Sequence, residues 1–202
     1  MSQIMKNIFI NNTVKKLAAT TLLVLVTACA NKPTHVVIAP DLSITNSASS
    51  QSDYQNKQAN ITVTDMRSAQ HIVQILRKDK AAEIYSSQQP LKNIIKQTLT
   101  AEFKKQGLAI NAQASNTIDI IIENSLISVQ QEMMDYQVNN ELVILVKVNN
   151  GKQTLSNTFK VRGTSEGLLS ADIAVLERDF NQQLSNLLTQ IISNTEIKNF
   201  IK

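Results

Sequence analysis

The sequence predicts an α+β fold: an antiparallel sheet with two main helices packed on one face, preceded by an N-terminal signal peptide. Three observations support this prediction. Several segments alternate apolar and polar residues with the period of a half-buried strand, and two longer segments place apolar residues three and four positions apart, as in an amphipathic helix. The third observation is a short apolar run close to the N-terminus.

The N-terminal segment has the layout of an export signal. Lys6, Lys15 and Lys16 precede an uncharged, largely apolar run at 17–26. This run is about half as long as the roughly 20 residues that a membrane-spanning helix needs. It therefore predicts a cleaved signal rather than a permanent membrane span.

The signal ends in Val26-Thr27-Ala28-Cys29, which resembles a bacterial lipobox: an aliphatic residue, two small residues and a cysteine. The resemblance implies cleavage before Cys29 and attachment of lipid to its thiol. The alternative is an incidental cysteine in an ordinary signal peptide. Several acyl chains hold a protein stably on a membrane, and Ala30, in place of aspartate, favours the outer membrane. We therefore expect a lipid-anchored outer-membrane protein that faces the periplasm.

These features divide the chain into a signal peptide (1–28), a lipidated tether (29–34) and a single periplasmic domain (35–202). Within the domain, residues 43–58 contain many polar and few aliphatic side chains. Such a segment has too little apolar surface to offset the entropy of ordering it, which predicts a flexible loop. The loop is either a plain linker or a binding loop.

Charge and cysteine content exclude several classes of function. Removal of residues 1–28 takes away three lysines and no acidic residue, so the formal net charge falls from +4 to +1. A nearly neutral domain with few aromatic residues offers no electrostatic basis for binding nucleic acid. The chain has one cysteine, so lipidation of Cys29 leaves no thiol for a disulfide, and the hydrophobic core must supply the stability.

Three strands are predicted in the first part of the domain. An apolar run at 35–39 predicts the first. Alternating residues at 61–66 and 71–76 predict two more, paired as a hairpin across 67–70.

Asp65 and Arg67 lie two residues apart near the end of the second strand, and so on one face of it. They predict a structural ion pair or, alternatively, a ligand-binding pair. His35 and His71 are too far apart in sequence to give a metal-ligand spacing. The sequence therefore predicts no metal site.

A helix and a bulged strand follow. Pro90 is predicted to lie in the first turn of the helix, and Gly107 has the position of its C′ residue. Its apolar face contains Leu91, Ile94, Ile95, Leu99 and Phe103. In the strand at 118–129 the apolar side chains change parity, which predicts a β-bulge near Asn124 and Ser125.

Asn150-Gly151 is the strongest hairpin signal in the chain, because these residues suit the two central positions of a type I′ turn. With this pair at the centre, the apolar face of the strand at 142–148 meets apolar residues of the next strand. The predicted cross-strand pairs are Val146 with Leu155, Leu142 with Phe159, and Glu141 with Lys160.

The last long helix is predicted to start at Ser170 as its N-cap. Its apolar stripe contains Ile173, Leu176, Phe180, Leu184, Leu187, Leu188, Ile191 and Ile192. The tail at 197–201 is predicted to add an apolar clasp to the core.

Four features together resemble the YajG family of uncharacterised bacterial lipoproteins: the lipobox, V-T-D-M-R at 63–67, N-G-K at 150–152 and T-E-I-K-N-F-I-K at 195–202. The resemblance covers nearly all of the domain and departs from the family in the longer loop before Ile61. It implies a membrane-anchored envelope protein, and it carries over no catalytic residue.

The residues themselves also give no catalytic motif: the sequence has no G-x-S-x-G elbow, no Gly-rich phosphate loop and no H-E-x-x-H helix. Glu123, Glu132, Asp135 and Glu141 are the acidic residues that could meet as a carboxylate pair, although solvated strand edges explain them more simply. We therefore predict no catalytic residues, no cofactor and a protein that is not an enzyme.

The expected function is a noncatalytic binding or structural module that attaches to the membrane through lipid on Cys29. Its expected partner is another envelope protein or a glycan, bound by adding a strand at an exposed sheet edge. The alternative is an auxiliary subunit of an envelope transport or lipid-export complex, which an apolar pocket between the helices and the sheet would favour. The sequence makes no prediction of oligomeric state.

Overall fold

The structure, a computed structural model, describes residues 34–42 and 54–201. The signal peptide, Cys29 and most of the loop predicted at 43–58 lie outside the described residues.

The last residues of that predicted loop are described, and they are ordered parts of the domain. Tyr54 is fully buried, and its ring centroid lies 5.8 Å from that of Phe103 in an edge-to-face contact. A strand already begins at Gln58. The large apolar ring of Tyr54 favours burial of this position.

Eight strands form one mixed sheet in the described part of the chain. They are β1 (His35–Val36), β2 (Gln58–Asp65), β3 (Val73–Arg77), β4 (Glu83–Ser87), β5 (Ala109–Ile110), β6 (Thr117–Gln131), β7 (Asp135–Asn149) and β8 (Thr154–Leu168). The prediction of an antiparallel sheet is wrong, because β2 and β3 both run parallel to β6, β5 runs parallel to β2, and β1 runs parallel to β4. The antiparallel pairs are β3–β4, β6–β7 and β7–β8.

Strands β2 and β3 pair with successive parts of the same edge of β6. Strand β2 pairs with 117–122 of β6, and β3 pairs with 127–131. The predicted hairpin between them is therefore wrong. The chain stays bonded to β6 on either side of the connection, since Met66 N donates to Ile122 O at 3.0 Å and Ile127 N donates to Ile72 O at 2.8 Å.

A β-bulge in β6 separates its two parallel partners. Ile122 pairs with Ile144 of β7, but Asn124 pairs with Val143, so Glu123 is the extra residue. The buried side chains change from even to odd positions across it: Ile118, Ile120 and Ile122 before the bulge, and Ser125, Ile127 and Val129 after it. The bulge predicted near Asn124 and Ser125 is confirmed.

The β7–β8 hairpin forms, but its predicted register is wrong by two residues. The observed pairs include Leu142 with Val161 and Val146 with Asn157. The turn centres on Gly151-Lys152, because Asn150 lies outside it: Asn150 N donates to Gln153 O at 3.1 Å, and its Oδ1 accepts from Lys152 N and Gln153 N. A shift of two residues keeps every side chain on its predicted face.

Three helices complete the described part: α1 (Leu91–Lys105), α2 (Ile173–Ile192) and α3 (Thr195–Phe200). Pro90 is the N-cap of α1, one residue before the first turn in which it was predicted, and Gly107 is the C′ residue at φ +92°, as predicted. The predicted cap of α2 is wrong: Asp172, and not Ser170, accepts from Ala174 N at 2.8 Å.

The helices and the sheet share one hydrophobic core. The predicted faces of α1 and α2 are buried, except that Ile173 is partly exposed. Ile197 and Ile201 are also buried, which confirms the predicted clasp. Each fully buried Leu, Ile or Phe side chain contributes about 1.5–3 kcal/mol by leaving water.

The segment that follows β1 lies along α2 and is held by its side chains. Val37 N donates to Glu177 Oε2 at 2.7 Å, and Ala39 N donates to Asn181 Oδ1 at 2.8 Å. Asp41 N donates to Ser185 Oγ at 2.9 Å. Alternate residues of the extended segment thus meet every fourth residue of the helix, since two extended residues rise about 6.6 Å and four helical residues rise about 6 Å.

Candidate functional site

Asp65 and Arg67, the pair singled out by the sequence, form a bidentate ion pair at the end of β2. Arg67 Nε donates to Asp65 Oδ1 at 2.9 Å, and Nη2 donates to Oδ2 at 2.8 Å. The Arg67 and Asp65 side chains are 4% and 9% exposed. Burial opposes ionisation of Asp65, but the hydrogen bonds and charge of Arg67 outweigh it and hold the pKa of that carboxyl below its ordinary value.

The remaining donors of Arg67 bind the backbone. Nη1 donates to His71 O at 3.3 Å and to Ser125 O at 3.2 Å, and Nη2 also reaches Gln70 O at 3.4 Å. All five guanidinium N–H groups therefore have partners inside the protein. We infer that the pair has a structural role and does not bind a ligand: it links the β2–β3 connection to the bulge region of β6.

The four acidic residues considered as a catalytic pair do not converge as a group. Glu123 is the exposed bulge residue. Glu141 accepts from Lys160 Nζ at 2.7 Å and from Arg162 Nε at 2.6 Å, and these hydrogen bonds lower its pKa to about 2. Glu132 and Asp135 do come close to each other, at one end of the sheet.

A groove of about 710 Å³, here called the sheet-end groove, opens at this end of β6, β7 and β8. Its lining is Gln130, Glu132, Asp135, Tyr136, Gln137, Glu166, Gly167 and Leu168. The lining combines three carboxylates and two glutamine amides with the apolar surface of Tyr136 and Leu168. Amide, carboxylate and phenol groups can hydrogen-bond a polar partner such as a peptide or a glycan.

Gly167 shapes the groove by admitting the ring of Tyr136, its cross-strand partner. A Cβ on Gly167 would lie 2.4 Å from the phenol oxygen of Tyr136. Any larger residue would therefore displace the aromatic ring that forms part of the groove wall.

Gln131 organises the backbone next to the groove. Its Nε2 lies 2.9 Å from Glu132 O, 3.0 Å from Asp135 O and 2.6 Å from Leu169 O, and its Oε1 accepts from Ala171 N at 3.0 Å. One buried amide thus joins the β6–β7 turn to the segment between β8 and α2. The turn, the last residue of β8 and that segment expose four apolar side chains, Met133, Met134, Leu168 and Leu169, which we call the tip.

The outer edge of β8 is a second candidate surface. This strand is 15 residues long and, among the described strands, pairs only with β7. Leu169 N donates to Met134 O, and Asn150 N donates to Gln153 O. Because hydrogen-bonded pairs alternate in an antiparallel ladder, the even-numbered residues of β8 direct their backbone N–H and C=O groups away from β7.

Within 34–42 and 54–201, no group of three or more His, Cys, Asp or Glu side chains has an arrangement that could hold a metal ion. No helix among the described residues is long and apolar enough to cross a membrane. Cys29, the predicted lipidation site, lies outside these residues.

Comparison with protein families identifies the chain. The family model described as Uncharacterized lipoprotein matches residues 44–202. The chain belongs to this lipoprotein family. It is the YajG family that the sequence motifs resembled, so that prediction is confirmed. Comparison with curated proteins gave no match.

Solved structures give a likeness of fold. A Xanthomonas campestris protein of the DUF330 family is similar with a TM-score of 0.57 at 13% identity, over 83% of this chain and 97% of that one. Rare lipoprotein B from Shewanella oneidensis gives a TM-score of 0.35 at 11% identity, over 70% of this chain and 98% of that one. At these identities the likeness to the Xanthomonas protein shows the fold alone.

Reasoning from the sequence missed both the sheet-end groove and the tip. The groove forms only because β8 runs the full length of β7, which places Glu166 beside residues of the β6–β7 turn. The tip had a signal: two adjacent apolar pairs, Met133-Met134 and Leu168-Leu169, lie at the ends of β6 and β8. Their exposure was not apparent, since such pairs usually enter the core.

Proposed function

We propose that this lipoprotein is a noncatalytic envelope module, anchored through lipid on Cys29 to the periplasmic face of the outer membrane, that binds an extended segment of another envelope protein along β8. Its membership of a lipoprotein family supports the anchor. The observation that carries the binding function is the free outer edge of a 15-residue strand among the described residues. Such an edge accepts an added strand through its backbone groups.

The side chains of β8 suit this role. The residues that turn their backbone groups outward also expose their side chains; Thr158, Lys160, Arg162 and Thr164 are among them. They form a polar surface with two cations beside the acidic sheet-end groove. An incoming strand would form main-chain hydrogen bonds with the outward N–H and C=O groups of β8. The exposed side chains of β8 would determine which side chains the incoming strand can have.

The transport-subunit alternative has less support. An apolar pocket between the helices and the sheet would favour it, whereas the described apolar side chains on that interface are buried in one core. The cavities described instead open at the sheet end and beside α2.

The edge is tested by photocrosslinking in intact cells with a benzophenone amino acid at Thr158, combined with Thr164→Pro or Thr164→Ala. Proline removes the outward N–H at position 164 without removing a bond to β7, while alanine keeps it. We expect a discrete crosslinked product in the Thr164→Ala background that is strongly reduced with Thr164→Pro. Equal crosslinking in both backgrounds would contradict strand addition, provided that the thermal unfolding midpoints of the two variants match.

The anchor is tested by Cys29→Ala and Ala30→Asp, followed by membrane fractionation. We expect Cys29→Ala to abolish processing and lipid labelling, and Ala30→Asp to move lipidated protein from the outer to the inner membrane. Normal processing and membrane attachment of Cys29→Ala would disprove the lipobox interpretation.

A further inference from the structure

The tip is an exposed apolar cluster at one end of the sheet. Met133 is 94% exposed, Leu168 is 81% exposed, and Met134 and Leu169 are each about two-thirds exposed or more. Single exposed apolar residues are common on protein surfaces, but four together at one end indicate a contact surface.

The backbone of the tip is held in a strained conformation. Leu169 has φ +68°, a region that branched residues rarely adopt. Its N–H donates to Met134 O at 2.8 Å, and its carbonyl accepts from Gln131 Nε2 at 2.6 Å. These two bonds maintain the conformation in which Leu168 and Leu169 point into solvent, and strain that persists in this way often belongs to a functional surface.

Cationic side chains lie beside the tip. Met133 and Leu169 line a cavity of about 350 Å³ together with Arg77, Lys78 and Lys80. Arg77 is paired with Glu83, and Glu132 lines the same cavity. Leu168 lines the sheet-end groove together with Asp135 and Glu166, so the surface around the tip has mixed charge. Apolar side chains next to long amines are typical of surfaces that enter the headgroup region of a bilayer.

The position at which the chain enters the domain identifies the bilayer as the partner. Strand β1 is parallel to β4, with His35 opposite Ser86. One residue earlier, Thr34 lies level with Tyr85, which pairs with Val73, and Val73 pairs with Ile127 of β6. Thr34 is therefore level with Ile127, and β1, followed towards its N-terminal end, points to the end of the sheet that contains the tip.

The length of the tether gives a limit on which end can approach a membrane. Cys29 precedes Thr34 by five residues, which span at most about 18 Å. From Ile127 to Gln131, next to the tip, the sheet extends by about 13 Å. From Ile127 to Thr117, at the opposite end, it extends by about 33 Å. A lipid on Cys29 thus allows the domain to stand upright with the tip on the bilayer surface, but the tether is too short for the domain to stand upright on the opposite end.

We propose that the tip inserts into the same bilayer that holds the acyl chains of Cys29, so that the domain stands on the membrane with its sheet end down. This inference rests on the lipid anchor of the proposed function. Met133, Met134, Leu168 and Leu169 enter the interface, and Lys78 and Lys80 contact lipid phosphates.

The test uses the full-length lipidated protein in vesicles of phosphatidylethanolamine and phosphatidylglycerol with brominated acyl chains, which quench tryptophan on contact. The chain contains no tryptophan, so Met133→Trp gives a single reporter at the tip. Met66→Trp is the matched control, because Met66 is also an exposed methionine but lies beside the middle of β6. We expect brominated lipid to remove most of the tryptophan emission of the Met133→Trp variant and little of that of the Met66→Trp variant.

The outcomes separate the inference from the anchor. If both variants float with vesicles but their tryptophan emission is quenched equally little, the anchor stands and the inserted tip is wrong. A blue-shifted but unquenched emission from Met133→Trp would show that protein, and not lipid, covers the tip, which also overturns the proposal. If lipid-labelled wild type fails to float, the anchor itself is wrong and the inference fails with it.

Discussion

Two carboxylates on neighbours of β6 each bind an arginine, but in different surroundings. Asp65 holds Arg67 in a nearly solvent-free site where every guanidinium N–H also has a partner. Glu141 holds Lys160 and Arg162 on the outer face of β7 and β8, where the Arg162 side chain is 68% exposed. Both carboxylates have a lowered pKa. We expect the buried pair to contribute more to folding than the exposed pair, since water screens the exposed charges.

The largest difference between the two ion pairs is expected when Arg67 or Arg162 is replaced by alanine. We expect Arg67→Ala to lower the free energy of unfolding by ~3–5 kcal/mol, because it leaves the carboxylate of Asp65 buried without a partner. The matched variant Arg162→Ala should lower it by at most ~1 kcal/mol, since the pair is exposed. Urea denaturation of both variants measures the difference. Equal losses would show that burial does not separate the two pairs.

Acid should weaken the buried pair in a characteristic direction. A carboxyl whose pKa is lowered by folding contributes stability at pH values above its unfolded pKa, and the contribution is lost as the pH falls through the folded pKa. The stability difference between wild type and Asp65→Asn should therefore be constant near neutral pH and shrink below about pH 4, the ordinary range of an Asp pKa. Denaturation at a series of pH values measures it, and a difference that grows on acidification would contradict the assignment.

The smallest effect is expected at the exposed cluster. Glu141→Gln should change the free energy of unfolding by less than about 1 kcal/mol at pH 7. Because the folded pKa is about 2, any loss should be present above the ordinary Glu pKa and disappear as the pH falls towards 2. It should also decrease in high salt, which screens exposed charges. A large, salt-independent loss would place Glu141 in the same class as Asp65.

Local patterns in the sequence predicted the helices and strands correctly in most cases. They did not predict which distant strands pair with each other. The apolar faces of α1 and α2, the bulge at Glu123 and the contact of Asp65 with Arg67 all follow from spacing within a few residues. The parallel pairing of β2 and β3 with β6 does not, because it joins segments more than 50 residues apart. The short connection at 66–72 suits a hairpin between β2 and β3 as well as it suits two strands that both pair with β6. Only the position of β6 distinguishes the two arrangements.

The candidate site shows the same limit. The Asp65–Arg67 pair was visible because both residues lie within one short segment of the chain. The sheet-end groove brings together the ends of three strands, and its position depends on the two-residue register of the β7–β8 hairpin. That register was determined by the side chain of Asn150, which accepts two backbone N–H groups. A choice between neighbouring turns of similar energy cannot be made from composition alone.

The segment held along α2 has a mechanical consequence. Tension applied at Thr34 along the direction of β1 would load the bonds from Val37, Ala39 and Asp41 to α2 together, in shear, since they lie side by side along one helix. Bonds loaded together resist force better than bonds that open one after another. A domain exposed to pulling between a membrane and a bound partner would thus transmit force from its N-terminal end into α2, and from there into the core, without first peeling away its leading strand.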